Sequence, residues 1–211
     1  MCRLLVVKSQ RPFDIALHLQ PFAQIARHSK EYQGHGWGCG YQVNGKWRWY
    51  RSIVPIWEDD LTQFGETHLL IAHARSAFRD QGIVVENNMP FFDGRYMFIF
   101  NGELRGVRIR ETGRTGAEKI FRFLKRFNSG DLQLAIRKAV PIILKRTQYV
   151  RAMNFIIADD RHIHLVSYFN EDPDYFTLRL KRTSEQFILC SQAYPGETGW
   201  QPIPNATMEV Y

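Results

Sequence analysis

The sequence predicts an α+β protein in which two mainly antiparallel β-sheets pack face to face and helices cover their outer faces. Strand-like segments occur near both ends of the chain, with two helical segments between them. Short turns such as Asn44-Gly45 join neighbouring strands, which is typical of antiparallel hairpins. The continuous apolar run from Leu69 to Ala72 suits a strand buried on both faces, and such a strand needs a covering layer on each side.

Length and composition favour one domain over residues 1–211. No stretch resembles a linker, and an apolar content of 45% is ample for a core. No apolar run is long enough to span a bilayer, and the N-terminus lacks the pattern of a signal peptide. Three cysteines, an odd number, do not indicate a disulfide framework. We therefore expect a cytoplasmic protein without a membrane partner.

The chain is basic, with a formal net charge of +7. Its lysines and arginines are spread along the sequence, and no aromatic-spaced RNA-binding motif accompanies them. This favours a solvated basic surface and predicts no nucleic-acid partner. An anionic substrate or a protein partner would explain the positive net charge equally well.

The first half of the chain begins with a strand from Arg3 to Val7, followed by helix-like content from Pro12 to Ser29 that we expect to break or restart at Pro21. A later strand from Tyr96 to Phe100 is predicted to stop at Asn101. Further strands are predicted over residues 38–43, 46–52, 68–75, 154–158, 162–169, 175–180, 186–191 and 208–211.

Two helices are predicted between these groups of strands. The first runs from Thr115 to Phe127, with Thr115 and Glu118 forming a capping box, and the second runs from Leu132 to Leu144, with a kink at Pro141.

Cys2 has a special chemical option if Met1 is removed. Its thiol, with a pKa of about 8.5, and its α-amine, with a pKa of about 8, then belong to one residue. The amine can take the thiol proton directly or through one water, so nucleophile and base come together without a histidine. The simpler interpretation is a small apolar residue at the start of a strand.

Three other stretches supply what amide hydrolysis needs. Asn101 through its side-chain amide and Gly102 through its backbone N–H suit an oxyanion hole, although Asn-Gly is also a common turn. Arg75, followed by Ser76, offers a planar guanidinium for a substrate carboxylate. The helix start at Thr115-Gly116 presents free N–H groups to an anion.

In this order and spacing the segments resemble class II glutamine amidotransferases of the N-terminal nucleophile hydrolase superfamily, and in particular their small stand-alone members. The segments that carry the resemblance are Met1 to Leu5, Gly36 to Gly38, His73 to Arg75, Asn88 to Phe91, Phe100 to Glu103, Thr115 to Glu118, and Ser191 through Trp200 to Pro204. None is specific alone, but together, with cysteine at position 2, they are a strong indication, and the resemblance extends over most of the chain.

The resemblance implies a four-layer αββα sandwich. We expect no cofactor and no metal. The resemblance also implies that Cys2 is the nucleophile, that Asn101 and Gly102 form the oxyanion hole, and that Arg75 holds the substrate α-carboxylate. The implied substrate is glutamine or, as in small members of the family, a γ-glutamyl compound, cleaved through a thioester. Any transfer of ammonia would need an acceptor protein as partner.

The chain departs from the family pattern at Gly116, where an aspartate usually binds the substrate α-ammonium. Asp93, Glu103 and Glu118 are the acids that we consider as replacements, and an unusual substrate is the alternative. Gly116 also leaves open a non-catalytic member that serves as a binding or regulatory module.

Other reactive side chains are expected to be structural. His73 is interpreted as a hydrogen-bonded histidine, and Cys39 and Cys190 as buried and inert. His162 and His164 share a strand face, but the sequence pattern shows no third ligand, so no metal is expected.

Overall fold

The computed structural model describes residues 1–211 and contains twelve strands and four α-helices. The strands are β1 (Arg3–Asp14), β2 (Trp37–Val43), β3 (Lys46–Ser52), β4 (Glu66–Ala74), β5 (Phe91–Phe92), β6 (Met97–Arg105), β7 (Tyr149–Ala158), β8 (Ile163–Ser167), β9 (Arg179–Arg182), β10 (Gln186–Cys190), β11 (Gln201–Pro202) and β12 (Thr207–Val210). The helices are α1 (Ile15–Arg27), α2 (Gly116–Lys125), α3 (Leu132–Lys145) and α4 (Pro173–Phe176). None of the helices combines the length and the apolar character that crossing a membrane requires.

The strands form two sheets. One has seven strands in the order β11-β9-β10-β1-β4-β2-β3, and the other has five in the order β12-β8-β7-β6-β5. Neighbouring strands within both sheets are antiparallel. The predicted α+β class with two antiparallel sheets is therefore confirmed.

Successive side chains of β1 show how the layers are arranged. Leu4 and Val6 belong to a large apolar core that also contains the buried residues of β6, β7, α2 and α3. Leu5 and Val7 belong to a second core that contains the apolar side of α1. Because alternate residues of a strand face opposite sides, the seven-stranded sheet is covered by α1 on one face and by the other sheet on its inner face. The helices α2 and α3 pack on that second sheet, which completes four layers.

The beginning of the chain differs from the prediction. Strand β1 extends to Asp14 after an irregularity in its pairing with β4, so Pro12 lies in a strand rather than a helix. Asp14 then caps α1 by accepting a hydrogen bond from the Ala16 N–H at 2.9 Å. The helix continues through Pro21 without a break, because the apolar side of α1 packs along the sheet on both sides of that residue.

The Asn44-Gly45 hairpin is confirmed. Both residues have positive φ, 52° and 71°, and they join β2 to β3 in the register that pairs Val43 with Lys46. Asn and Gly tolerate this backbone conformation better than other residues, which explains the strength of the signal.

The sequence predicts that this strand stops at Asn101, but β6 does not end there. It continues through Gly102 to Arg105, with Asn101 opposite Asn154 and Gly102 opposite Met153 in β7. A Cβ atom at Gly102 would lie 2.8 Å from the carbonyl carbon of Ala152, so glycine is needed for close approach of the two backbones and not for a turn.

The two central helices lie close to their predicted positions. Thr115 caps α2 by accepting a hydrogen bond from the Glu118 N–H at 3.2 Å. The Glu118 carboxylate accepts from the Arg114 N–H at 2.7 Å, one residue before the donor of a standard capping box. In α3 the helix is continuous across Pro141.

The segment predicted as a strand from Tyr175 to Leu180 is divided between α4 and β9. Pro173 stands at the first position of α4, where its fixed φ and missing N–H favour a helix start. Tyr175 and Phe176 are therefore buried on a helical turn that packs near the chain terminus.

Candidate active site

Cys2 lies in the interior, directly before β1. Arg3 pairs with Ala74 at the end of β4, and the Cys2 Sγ lies 3.7 Å from the carbonyl oxygen of Ser76, to which the thiol donates. Burial raises the pKa of the Cys2 thiol, while the nearby terminal ammonium and the Arg75 guanidinium act in the opposite direction. The thiol is thus a buried, neutral group beside a cation.

Arg75 is buried, and its hydrogen-bond partner is an amide rather than a carboxylate. Its Nη1 donates to Asn88 Oδ1 at 3.1 Å, and Asn88 Nδ2 in turn donates to the Ser52 carbonyl at 2.6 Å. Burial lowers the pKa of Arg75. Asn88 thus orients the guanidinium without neutralising it, which leaves Arg75 suited to bind an anionic group.

His73 links the two sheets through a hydrogen bond. Its Nε2 lies 3.2 Å from the carbonyl oxygen of Phe100 in β6. Burial and the charge of Arg75 lower the pKa of His73 to about 3, so the ring is neutral at pH 7 and donates this bond. Because His73 pairs with Leu4 in β1, the link brings the stretch beginning at Phe100 to the end of the sheet where Cys2 lies.

Asn101 follows Phe100 in β6, and its side chain is fully buried. Neither Asn101 Nδ2 nor Oδ1 has a hydrogen-bond partner. Buried amides are nearly always satisfied, so this side chain is suited to bind a group that enters the site. Gly102, the next residue, allows the close backbone approach described above.

Met1 is held in the fold. Its ammonium forms an ion pair with Glu31, and its carbonyl oxygen accepts hydrogen bonds from Gln33 Nε2 and from the Tyr175 hydroxyl. The Met1 side chain packs against an apolar group next to the Gly102 backbone, formed by Ala152, Phe169, Tyr175 and Phe176. Met1 therefore occupies space beside the candidate oxyanion hole.

Glu31 belongs to a network of charges around this space. Its Oε1 is 3.0 Å from Arg151 Nη1, and Arg151 also pairs with Asp172 at 2.5 Å and with Glu103 at 3.6 Å. Burial opposes ionisation of Glu31, but the Met1 ammonium and Arg151 lower its pKa below the ordinary value. Sequence reasoning missed Glu31, because no periodicity or motif marks it.

The three acids considered as replacements at the Gly116 position are already paired. Glu118 binds Arg114 and Arg122, with distances of 3.0 Å and 2.9 Å. Asp93 binds Lys125 at 2.7 Å. Glu103 binds Arg105 and the more distant Arg151.

Thr115 and Gly116 lie at the start of α2, and the hydrogen bonds of Thr115 are local to that helix. A Cβ atom at Gly116 would meet nothing within 4 Å, so glycine is not required there by packing. A neighbouring cleft of about 270 Å³ is lined on the α2 side by Arg114 and Glu118 and on the opposite side by Arg51 and Trp49.

The remaining cysteines and Trp37 are structural in the fold. Cys39 and Cys190 are fully buried, and burial raises the pKa of both thiols, that of Cys190 to about 12. Trp37 is buried in the core next to α1, and its Nε1 donates to Asp59 at 2.8 Å.

Comparison with known proteins identifies the fold. No family model matches the chain. Among solved structures, a glutamine aminotransferase class-II domain protein from Silicibacter pomeroyi covers 99% of this chain and 94% of its own, with a TM-score of 0.64 at 13% identity. A predicted glutamine amidotransferase from Pseudomonas aeruginosa covers 100% and 97%, with a TM-score of 0.62 at 16% identity.

Two further likenesses agree with these. Glutamine phosphoribosylpyrophosphate amidotransferase from B. subtilis matches 90% of this chain over 42% of its own, with a TM-score of 0.65 at 14% identity. Gamma-glutamyl-hercynylcysteine sulfoxide hydrolase of Mycobacterium tuberculosis is 22% identical in an alignment of 202 residues that covers 90% of this chain and 80% of the relative. The resemblance to class II glutamine amidotransferases is thereby confirmed at the level of the fold.

Proposed function

We propose that this protein is an amidohydrolase whose nucleophile is Cys2 after removal of Met1, and that it hydrolyses the side-chain amide of glutamine or a γ-glutamyl amide. The observations that support the proposal are a buried thiol and an arginine without an acidic partner at the ends of β1 and β4, and an unsatisfied buried amide at Asn101, whose neighbour Phe100 is hydrogen-bonded to His73 of β4. The fold shared with glutamine amidotransferase domains supports the same chemistry.

In the first half of the reaction the Cys2 sulfur attacks the amide carbon while the Cys2 α-amine takes the thiol proton. Asn101 Nδ2 and the Gly102 N–H stabilise the oxyanion that forms, and each such donor contributes a few kcal/mol. When the tetrahedral intermediate collapses, the C–N bond breaks and the ammonium of Cys2 returns the proton to the leaving nitrogen. The product bound to the protein is a thioester.

In the second half a water molecule attacks the thioester. The Cys2 α-amine removes one proton from the water, and the same oxyanion donors act again. The C–S bond breaks, the sulfur recovers a proton, and the γ-carboxylate product leaves. The chain's own residues supply every proton transfer, and water is the only co-reactant.

Arg75 is proposed to bind the substrate α-carboxylate, because its buried guanidinium has no carboxylate partner of its own. The Ser76 carbonyl accepts a hydrogen bond from the Cys2 thiol, and we place Ser76 beside the thiol in the substrate-binding site. The roles of Thr115 and Gly116 in substrate binding stay predictions.

Glu31 is our candidate for the acid that Gly116 does not supply. It already binds an α-ammonium, that of Met1, in the space beside Gly102. Trimming Met1 would remove that ammonium and leave Glu31 Oε2 accessible to the α-ammonium of a substrate, while Oε1 stays paired with Arg151. Gln33 Oε1, which is buried without a partner, would then be able to accept a hydrogen bond from the new Cys2 amine.

The decisive experiment compares trimmed and Met1-bearing protein. Intact mass defines each form, and release of glutamate from glutamine and from γ-glutamyl dipeptides measures activity. We expect turnover only in the trimmed form, its abolition by Cys2→Ala, and a loss of roughly 10²–10³-fold by Asn101→Ala. Cys39→Ala is the matched control and should retain activity.

A non-catalytic binding module is the second candidate, favoured by the absence of an acid at Gly116. Correctly trimmed protein that releases no glutamate, and whose Cys2 is not modified by a glutamine-analogue electrophile, would establish the module and reject the enzyme. If turnover is seen, measuring free ammonia in the same assay tests whether the released nitrogen requires an acceptor protein.

A further inference from the structure

The turn between β7 and β8 gathers three side chains that suit a divalent cation. His162 and His164 were expected to share a strand face without a third ligand. The structure adds Asp159 from the other side of the turn, and one ligand atom from each of the three residues lies within 4.8 Å of the others. Two imidazoles and one carboxylate are a recurring ligand set for late first-row metals.

Asp159 is buried and held in place by the turn itself. Its Oδ1 accepts hydrogen bonds from the backbone N–H groups of Arg161 at 2.8 Å and His162 at 2.7 Å. Both bonds use the same oxygen, so Oδ2 remains for a cation. The carboxylate is thus oriented before any ligand arrives.

His164 is also buried, and a partner on α3 determines which ring nitrogen is free. Its Nδ1 lies 3.2 Å from Gln133 Oε1, while Gln133 Nε2 donates to the Met208 carbonyl at 3.4 Å. Because the amide nitrogen of Gln133 is used as a donor, its oxygen must accept from the Nδ1–H of His164. The Nε2 lone pair is then free for a metal. Metal-binding histidines usually donate the N–H of their other ring nitrogen to an acceptor in this way.

His162 is the one exposed side chain of the three and is free to change its position when a metal binds. Its side chain is 55% exposed, and its Nδ1 lies 3.6 Å from Asp159 Oδ1. Bonds of about 2.0–2.1 Å in a tetrahedral site place ligand atoms roughly 3.4 Å apart. Rotation of this exposed ring brings a His162 nitrogen closer to Asp159 Oδ2, and Asp159 and His164, which are not within ion-pair distance of each other, must also draw closer to reach this spacing. A fourth position is left for water.

We propose that Asp159, His162 and His164 form a binding site for a late first-row divalent cation, with Zn²⁺ as its first candidate. The site lies away from the candidate active site. Asn154 pairs with Asn101, and Asp159 is five residues further along the chain, about 16 Å at the rise of a strand. The cation would connect the β7–β8 turn and, through Gln133, the start of α3.

The test uses untagged full-length protein carrying Cys2→Ala, so that the thiol of the candidate active site cannot bind the metal. After treatment with a chelator and its removal, ZnCl₂ is titrated by calorimetry and CoCl₂ by visible absorption. We expect one equivalent to bind, the d–d bands of a tetrahedral Co²⁺ site, and a higher Tm with Zn²⁺.

Four variants locate the site. Gln133→Leu is expected to weaken Zn²⁺ binding roughly 10–100-fold, and His162→Ala and Asp159→Asn by more than that. His28→Ala, which removes an exposed histidine elsewhere, should leave binding unchanged. Circular dichroism verifies that each variant is folded. No binding by the parent protein, or equal binding by the folded His162→Ala and Asp159→Asn variants, would overturn the site, and neither result bears on turnover by Cys2.

Discussion

Cys2 is a buried thiol beside two positive groups, and burial is the larger influence on its pKa. In Met1-bearing protein the thiolate fraction at pH 7 is therefore lower than that of a free thiol. We expect alkylation by iodoacetamide to be slow near neutrality and to rise through a midpoint above the ordinary thiol value of about 8.5. Peptide mapping across a pH series measures this.

Cys39 and Cys190 are internal controls for that experiment, because both are fully buried in strands and should stay unmodified. A midpoint for Cys2 below that of a small free thiol would show that the positive groups outweigh burial, contrary to our interpretation.

Glu31 leads to a second prediction for a single residue. If its carboxylate binds the substrate α-ammonium, Glu31→Gln removes a charge-assisted pair, which contributes about 1.5–3 kcal/mol. We expect KM for γ-glutamyl substrates with a free α-amine to rise by about tenfold or more, with a smaller change in kcat. Steady-state kinetics of the trimmed protein measure both constants.

An N-acylated γ-glutamyl substrate is the matched control, since it carries no ammonium for Glu31 to bind. An equal effect of Glu31→Gln on both substrates would contradict the assignment and point to a general disturbance of the network with Arg151.

At the scale of elements, α2 depends on a single carboxylate at its start. Burial alone would raise the pKa of Glu118, but hydrogen bonds and charge from Arg114, with further charge from Arg122, lower it to about 2. The ionised form is thus favoured in the folded state, so its stabilisation is present above the unfolded value of about 4.3 and is lost as the pH falls towards 2.

We therefore expect Glu118→Gln to reduce the free energy of unfolding at pH 7 by about 1–3 kcal/mol, with the difference disappearing near pH 2. Urea unfolding at several pH values measures the difference. The same substitution at exposed Glu58, which makes no ion pair, should have little effect, and a loss at Glu118 that does not depend on pH would argue against a charge-based role.

Elements differ in how well their sequences predict them. The Asn44-Gly45 hairpin and the two central helices have local causes, namely positive φ, capping and apolar periodicity, and all were predicted. The end of β6 was not predicted. Asn101-Gly102 is locally typical of a turn, but its pairing with β7 keeps it extended. The continuation of α1 through Pro21 likewise depends on packing against the sheet.

At the scale of the whole molecule, His73 couples the two halves of the candidate site. It lies on the seven-stranded sheet and donates to the Phe100 carbonyl on the other sheet. We expect His73→Leu to misplace Asn101 and to lower kcat by about tenfold or more, because a small displacement of an oxyanion donor is costly. His73→Gln, which keeps a donor, should recover part of the loss.

The readout that separates this positioning role from a role in the chemistry is alkylation of Cys2. His73→Leu should leave the alkylation rate close to that of the parent protein while turnover falls. A parallel loss of both would place His73 in activation of the thiol.

The sequence by itself determined the layered α+β class, the nucleophile candidate and the residues proposed to surround it, because alternation, turn chemistry and short motifs are local properties of the chain. Only the tertiary structure decided which distant groups meet. Glu31 and Arg151 are 120 residues apart in the chain, yet they form one network around Met1. Such meetings depend on strand register and on the packing of layers, and residue patterns do not specify either one locally.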